Sequence, residues 1–147
     1  MRILVIDAQG GGIGKQLVAA IKQNLPEAVV TAVGTNSAAT AAMLKAGADY
    51  TATGENAVVV ACRKTDVIAG PIGIVIADSL LGEITPAMAV AVGQSDARRL
   101  LIPINHCDNV VVGVPDLNVG RLIQKVLEKL REMQCSDELP GQAVFPR

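Results

Sequence analysis

Residues 7–15 read Asp7-Ala8-Gln9-Gly10-Gly11-Gly12-Ile13-Gly14-Lys15. Four glycines fall within five positions, with a carboxylate before them and an ammonium after them. Glycine permits positive φ and lets a phosphate approach the main chain closely. An apolar run, residues 3–6, precedes the glycines, and an amphipathic stretch, residues 16–25, follows them. That order predicts a strand, a tight loop and a helix. The start of such a helix offers free N–H groups and a partial positive charge to an anion. Phosphate binding is the chemistry this segment suits. Lys15, in the first helical turn, either reaches that phosphate or stands in solvent. Asp7 has three roles open to it: accepting a ligand hydroxyl, pairing with Lys15, or capping the loop amides.

The loop matches no common fingerprint in full. The dinucleotide pattern G-x-G-x-x-G, begun at Gly10, needs glycine where Lys15 stands. The P-loop pattern needs glycine at Gln9 and a hydroxyl at Gln16. Without that hydroxyl the usual magnesium ligand is missing, which argues against ATP hydrolysis. Gly12-Ile13-Gly14 looks like the end of a short-chain dehydrogenase loop, but Ala8 replaces that pattern's first glycine. Tyr50 is followed by Gly54, so the Tyr-x-x-x-Lys pair is absent as well. The plainer alternative is tight helix–strand packing around Gly12 and Gly14.

Other reactive side chains are few. A ribose-binding carboxylate is expected near the end of the second strand, but that segment reads Gly34-Thr35-Asn36-Ser37. NAD is thereby disfavoured. NADP or another nucleotide stays open, although no arginine is nearby to favour a 2′-phosphate. Ser37 reads as a helix cap. His106 could serve as a general base and Cys107 as a nucleophile. Neighbours on an extended segment point to opposite sides, so the two do not form one dyad. Asp78, Glu83 and Glu55 are carboxylates to which the sequence assigns no partner, and Cys62 lies in an apolar helix. No catalytic residue is assigned, and whether the chain is an enzyme is left open.

The elements that must position these residues alternate. Strands are expected at 3–7, 29–34, 48–51, 67–69, 100–104 and 110–114. Helices are expected at 13–25, 38–46, 56–64, 86–92 and 117–133, with Thr85 and Asp116 as N-caps and Gly47 ending the second. Residues 72–81 are ambiguous, and a helix from Gly73 suits the alternation better than a strand. This pattern predicts a doubly wound, mostly parallel, three-layer Rossmann-like α/β sheet with its first strand internal. Ligands of such sheets bind beyond the carboxyl ends of the strands. That edge would gather Asp7, Gly10, Gly11, Gly12, Gly14 and Lys15 with Thr35, Asn36, Glu55 and Asn56. Gly70, Gly73 and Asn105 complete the candidate ligand site. The bland reading of these segments is good turn and capping chemistry.

Composition narrows the classes. The 147 residues fit one domain, taken as 1–134, with a loose tail at 135–147. Half of the residues are apolar and mean hydropathy is +0.41, yet no run is long enough to span a membrane. Tyr50 and Phe145 are the only aromatics, so the core must be aliphatic, as in sheets buried on both faces. Net charge is −1, with neither the basic footprint nor the stacking residues that nucleic-acid binding needs. Asp7 and the glycines interrupt the first apolar run, so it does not read as a signal peptide. Cys62, Cys107 and Cys135 suit neither a disulfide framework nor a metal pair, and a cytoplasmic setting is expected.

From Ile3 to about Asn105 the chain resembles an uncharacterised bacterial family of short proteins, a domain of unknown function. The resemblance is carried by residues 6–15 and by Gly34-Thr35-Asn36, Met43-Leu44-Lys45-Ala46-Gly47-Ala48 and Ala52-Thr53-Gly54-Glu55-Asn56-Ala57. Gly70-Pro71-Ile72-Gly73-Ile74, Leu81-Gly82-Glu83-Ile84-Thr85-Pro86 and Leu101-Ile102-Pro103-Ile104-Asn105 extend it. Ala8 stands where that family commonly has glycine and His106 where it commonly has arginine, which weakens an essential role for His106. The resemblance implies a cytoplasmic Rossmann-like protein and no particular activity.

The expected function is binding of a nucleotide or phosphorylated metabolite at the glycine loop. A non-catalytic sensor or regulatory subunit and a structural oligomer are the alternatives on the same fold. The apolar content and the amphipathic segment at 117–133 predict a homo-oligomer, most simply a dimer. Light scattering at roughly tens of micromolar, well above ordinary oligomer dissociation constants, should show a dimer mass, and a monomer would refute this.

Overall fold

The computed structural model describes residues 1–104 and 108–137. Its five strands are β1 (Arg2–Asp7), β2 (Val29–Gly34), β3 (Tyr50–Thr53), β4 (Val67–Pro71) and β5 (Arg98–Ile102). All pair in parallel, in the order β3-β2-β1-β4-β5. The helices are α1 (Gly12–Asn24), α2 (Ser37–Lys45), α3 (Glu55–Ala61), α4 (Pro86–Gln94) and α5 (Val119–Asp137). Helices α1, α2 and α5 share one face of the sheet, where Leu17, Ile21, Met43 and Leu127 are fully buried. Helices α3 and α4 cover the other with Val58, Met88 and Val92. This is the Rossmann-like α/β architecture that the alternation implied.

β1 is central for a reason legible in its side chains. Ile3, Leu4, Val5 and Ile6 are all essentially inaccessible to solvent, so the strand must be covered on both faces and paired on both edges. Its neighbours are β2 and β4. The order of connection therefore reverses between β1 and β4, and a ligand crevice of such sheets opens there.

Several local expectations are corrected. No strand forms at 110–114: Val110 and Val112 are exposed, and Gly113 takes φ +81°, outside extended backbone. Consecutive valines favour strands only where a neighbour covers them. Residues 72–81 are neither helix nor strand. They make one 3₁₀ turn, Ile72–Val75, followed by tight turns. Asp78, Leu80 and Leu81 all have positive φ there, which a right-handed helix forbids. β3 lies two residues later than expected, and β5 starts two residues earlier. Asn36, not Ser37, caps α2 by accepting from the Ala39 amide at 2.9 Å. Asn118, not Asp116, receives the Arg121 amide at the start of α5, also at 2.9 Å. α5 continues through Cys135 to Asp137, so the first three residues assigned to the tail are helical.

Polar ties seat the helical layer on the sheet. Asp49 accepts the Val30 amide at 2.8 Å and the Lys22 ammonium at 2.9 Å, joining α1 to the lead-in of β3. The Val30 amide first, and Lys22 second, hold the Asp49 carboxyl below its ordinary 3.8. A lowered carboxylate contributes stability above its unfolded pKa and loses it as pH falls through the folded value. Chemical-denaturation curves should therefore show an acid loss below pH ~4 that is shallower in Asp49→Asn.

Candidate functional site

The glycine loop is built around one buried carboxylate. Asp7 ends β1 and is only 5% exposed. Its Oδ1 accepts the Ala8 amide at 2.8 Å and its Oδ2 the Gly14 amide at 2.6 Å. The Ile13 amide adds a weaker pull on its charge. Of the three roles open to Asp7, its bonds are those of a loop cap. Burial pushes its pKa above the ordinary value, against the opposing pull of the three amides, and the nearby Glu83 charge adds to the rise. By linkage the sign is opposite to that of Asp49: the cost of holding Asp7 ionised is absent in acid and grows as pH rises through its folded pKa.

This arrangement gives each glycine a separate duty. Gly11 takes φ +71°, closes a turn onto the Ala8 carbonyl, and stands at the N-cap of α1. A Cβ on Gly11 would sit 2.8 Å from Ala39 Cα, so that glycine also lets α1 and α2 meet. A Cβ on Gly14 would lie 2.5 Å from Met43 Sδ and 2.8 Å from Asp7 Cβ. Gly10 and Gly12 differ: nothing lies within 4 Å of a Cβ at either position. Their amides make no hydrogen bond among the described residues. Those two N–H groups are what the loop can offer an acceptor. Lys15 is exposed on the next turn and forms no ion pair among the described residues.

The end of β2 lies beside this loop, through the pairing of Asp7 with Gly34 and the Thr35 amide bonded to the Asp7 carbonyl at 3.1 Å. Gly34 leaves no space for a Cβ, which would meet the Thr40 amide at 2.5 Å. Asn36 uses its whole amide group. Its Oδ1 caps α2, and its Nδ2 donates to the Gln9 carbonyl at 2.9 Å and to Glu83 at 2.6 Å. The Thr35 hydroxyl donates to the same Glu83 oxygen at 2.8 Å. Glu83 also receives the Gln9 amide, at 3.1 and 3.2 Å to its two oxygens. Desolvation works against its charge, but the Asn36, Thr35 and Gln9 bonds prevail and hold it below the usual glutamate value.

Glu83 is the residue that sequence reasoning did not place. It comes from the turn between the 3₁₀ segment and α4, far along the chain from the residues it joins. The available signal was the sequence Ser79-Leu80-Leu81-Gly82-Glu83, a turn-rich stretch holding a carboxylate without a local partner.

The remaining candidates spread along the same edge. Glu55 and Asn56 are exposed at the start of α3, after β3, the outermost strand on that side. They lie two strands away from β1. Gly70 lies within β4 against β1, where a Cβ would collide with the Ile6 carbonyl. Gly73 packs beneath Ser79 and Leu80. Both have packing reasons to be glycine. Asn105, with His106 and Cys107, lies outside the described residues. Cys62 is buried, its thiol pushed up to about 11 by desolvation, which removes it as a nucleophile. It borders a cleft of about 550 Å³ at the opposite edge of the sheet, between the ends of α3 and α4. Among the described residues no three His, Cys, Asp or Glu side chains gather as metal ligands, and no helix is long and apolar enough to cross a membrane.

A family model described as a domain of unknown function, DUF3842, matches residues 2–135. The chain belongs to this family. No curated protein matches it. Among solved structures it is similar to a dodecameric FMN-dependent UbiX-like decarboxylase from Escherichia coli O157:H7, with 14% identity and a TM-score of 0.44 over 100% of this chain and 98% of that one. It is also similar to a nucleoside-diphosphate-sugar epimerase from Pseudomonas aeruginosa, with 13% identity and a TM-score of 0.46. That alignment takes in 95% of this chain and 50% of the other. At these identities the likeness extends to the fold alone.

The geometry separates the two loop glycines by experiment. Gly14→Ala should lower stability by about 1–3 kcal/mol through overpacking against Met43 and Asp7. Gly12→Ala should change it by less than about 1 kcal/mol. Urea denaturation of both variants checks the pair, and equal losses would contradict the packing described.

Proposed function

We propose that members of this family bind a nucleotide at the glycine loop, its phosphate on the Gly10 and Gly12 amides and within reach of Lys15. The observation that carries this reading is the division among the glycines. Gly11 and Gly14 are consumed by the fold, whereas Gly10 and Gly12 have open space where a Cβ would stand and amides with no hydrogen bond among the described residues. A loop serving packing alone has no use for glycine at those two positions. The start of α1 adds a favourable field for an anion. In such sheets a ligand crevice opens where the order of connection reverses, which here is between β1 and β4.

Binding is better supported than catalysis. Asp7 is committed to loop amides, and Cys62 is buried. Glu83 is tied to three donors. The reading is accordingly of a cytoplasmic nucleotide-binding protein whose output is a bound state.

A thermal-shift panel of AMP, ATP, NAD, NADP, FMN and CoA tests this. At least one nucleotide should raise the melting temperature of the wild type. Gly12→Ala should abolish that rise without unfolding the protein. Lys15→Ala should weaken binding by about 1–3 kcal/mol, the scale of a charge-assisted hydrogen bond. A wild type left unshifted by every compound at millimolar concentration would overturn the proposal.

A further inference from the structure

Dinucleotide-binding sheets use a carboxylate at the end of the second strand to accept the ribose hydroxyls. In this chain β2 ends in Gly34-Thr35-Asn36-Ser37, and no carboxylate follows. The tertiary structure nevertheless puts one there. Glu83 lies against the Thr35 hydroxyl and the Asn36 amide, and it touches the glycine loop through Gln9. It thus stands between the two segments that a bound nucleotide would bridge, its phosphate on one and its ribose on the other.

The hydrogen bonds on Glu83 are unevenly shared. Oε1 accepts from Thr35, Asn36 and Gln9 and is saturated. Oε2 has only a share of the Gln9 amide, at 3.2 Å. An ionised carboxylate accepts about four hydrogen bonds over its two oxygens, so Oε2 keeps lone pairs for further donors. Glu83 is half-buried, which leaves it within reach of a ligand. Its delivery also carries a conformational cost. Asp78, Leu80 and Leu81 all adopt positive φ in the turn that presents it, and Gly82 does so too. Bonds from the Asp78 amide to the Ile84 carbonyl and from the Gly82 amide to the Asp78 carbonyl hold that turn in shape.

We infer that Glu83 is the ribose-recognising residue of the site, and that the ligand is a nucleotide with a free 2′,3′-diol. Resting on the glycine-loop reading above, this narrows its ligand class. The diol donates to Oε2. A 2′-phosphate would bring two further negative charges against an ionised carboxylate that has no arginine among its hydrogen-bond partners. The discrimination against NAD drawn from the β2 segment alone is thereby reversed.

Isothermal titration of the full chain with NAD, NADP and FMN tests the inference, in the wild type and in Glu83→Gln. The wild type should bind NAD at least about tenfold more tightly than NADP, the low end for a hydrogen bond to a charged group. Glu83→Gln should weaken NAD by a similar factor and bring the two affinities to within about threefold. The ratio distinguishes ribose recognition from a structural effect, because a disturbed loop would weaken both ligands alike. Equal wild-type affinities, or a ratio unchanged in the variant, would overturn the inference. Binding of FMN alone would also overturn it while leaving the phosphate reading intact. Binding of none of the three in the titration, together with a flat thermal-shift panel, would overturn both.

Discussion

The buried Asp7 carboxylate is the constraint around which this end of the molecule is arranged. An ionised group at that depth is costly unless donors surround it. The donors available are the amides of Ala8 and Gly14, so the chain after β1 must fold back over the carboxylate. That fold-back sets the path of the loop. It puts Gly11 in left-handed backbone and presses Gly14 against Met43 and Asp7. It also uses an amide of the first helical turn that would otherwise face a ligand. Among the described residues, the Gly10 and Gly12 amides are left without a hydrogen bond.

A second carboxylate extends the same logic between segments. Glu83 links the glycine loop, the end of β2 and the turn before α4 through one side chain. Asn36 reinforces the link by bonding α2, Gln9 and Glu83 at once. The segments at the sheet edge are therefore mutually braced, and a ligand would meet a largely preformed surface. Such preorganisation lowers the ordering cost of binding. Asp7 and Glu83 place two carboxylates beside the glycine loop.

The frame beneath the edge relies on small and branched aliphatic side chains. Ala32, Ala69 and Gly70 let helices and strands approach closely, while Ile3, Leu4, Ile6 and Ile68 fill the space between layers. With no aromatic residue in either buried cluster, packing comes from many interdigitating contacts, and loss of a single methylene would be felt. The parallel order brings all five strand ends to one edge.

The architecture was legible in the sequence because it follows from local patterning. Apolar runs separated by helical periodicity define parallel α/β units, and the wholly apolar 3–6 run must be central in any sheet that buries it. Residues 110–114 and 72–81 misled for the same reason in opposite directions: β-propensity and alternation are blind to whether a neighbour is present. The glycine loop could be located, but not divided into packing and open positions, since that depends on Met43 and Ala39, brought up by α2. Asp7 could be singled out, but its choice among three roles needed the loop's path. Glu83 stood out only as a carboxylate without a local partner, and its position was beyond reach. A contact between residues 35 and 83 is set by how the crossovers stack on the sheet, and neither segment alone names its partner. The sequence by itself determined the layers and the edge where the strand ends gather; only the tertiary structure decided which side chains meet there, because those meetings are long-range contacts that no local pattern encodes.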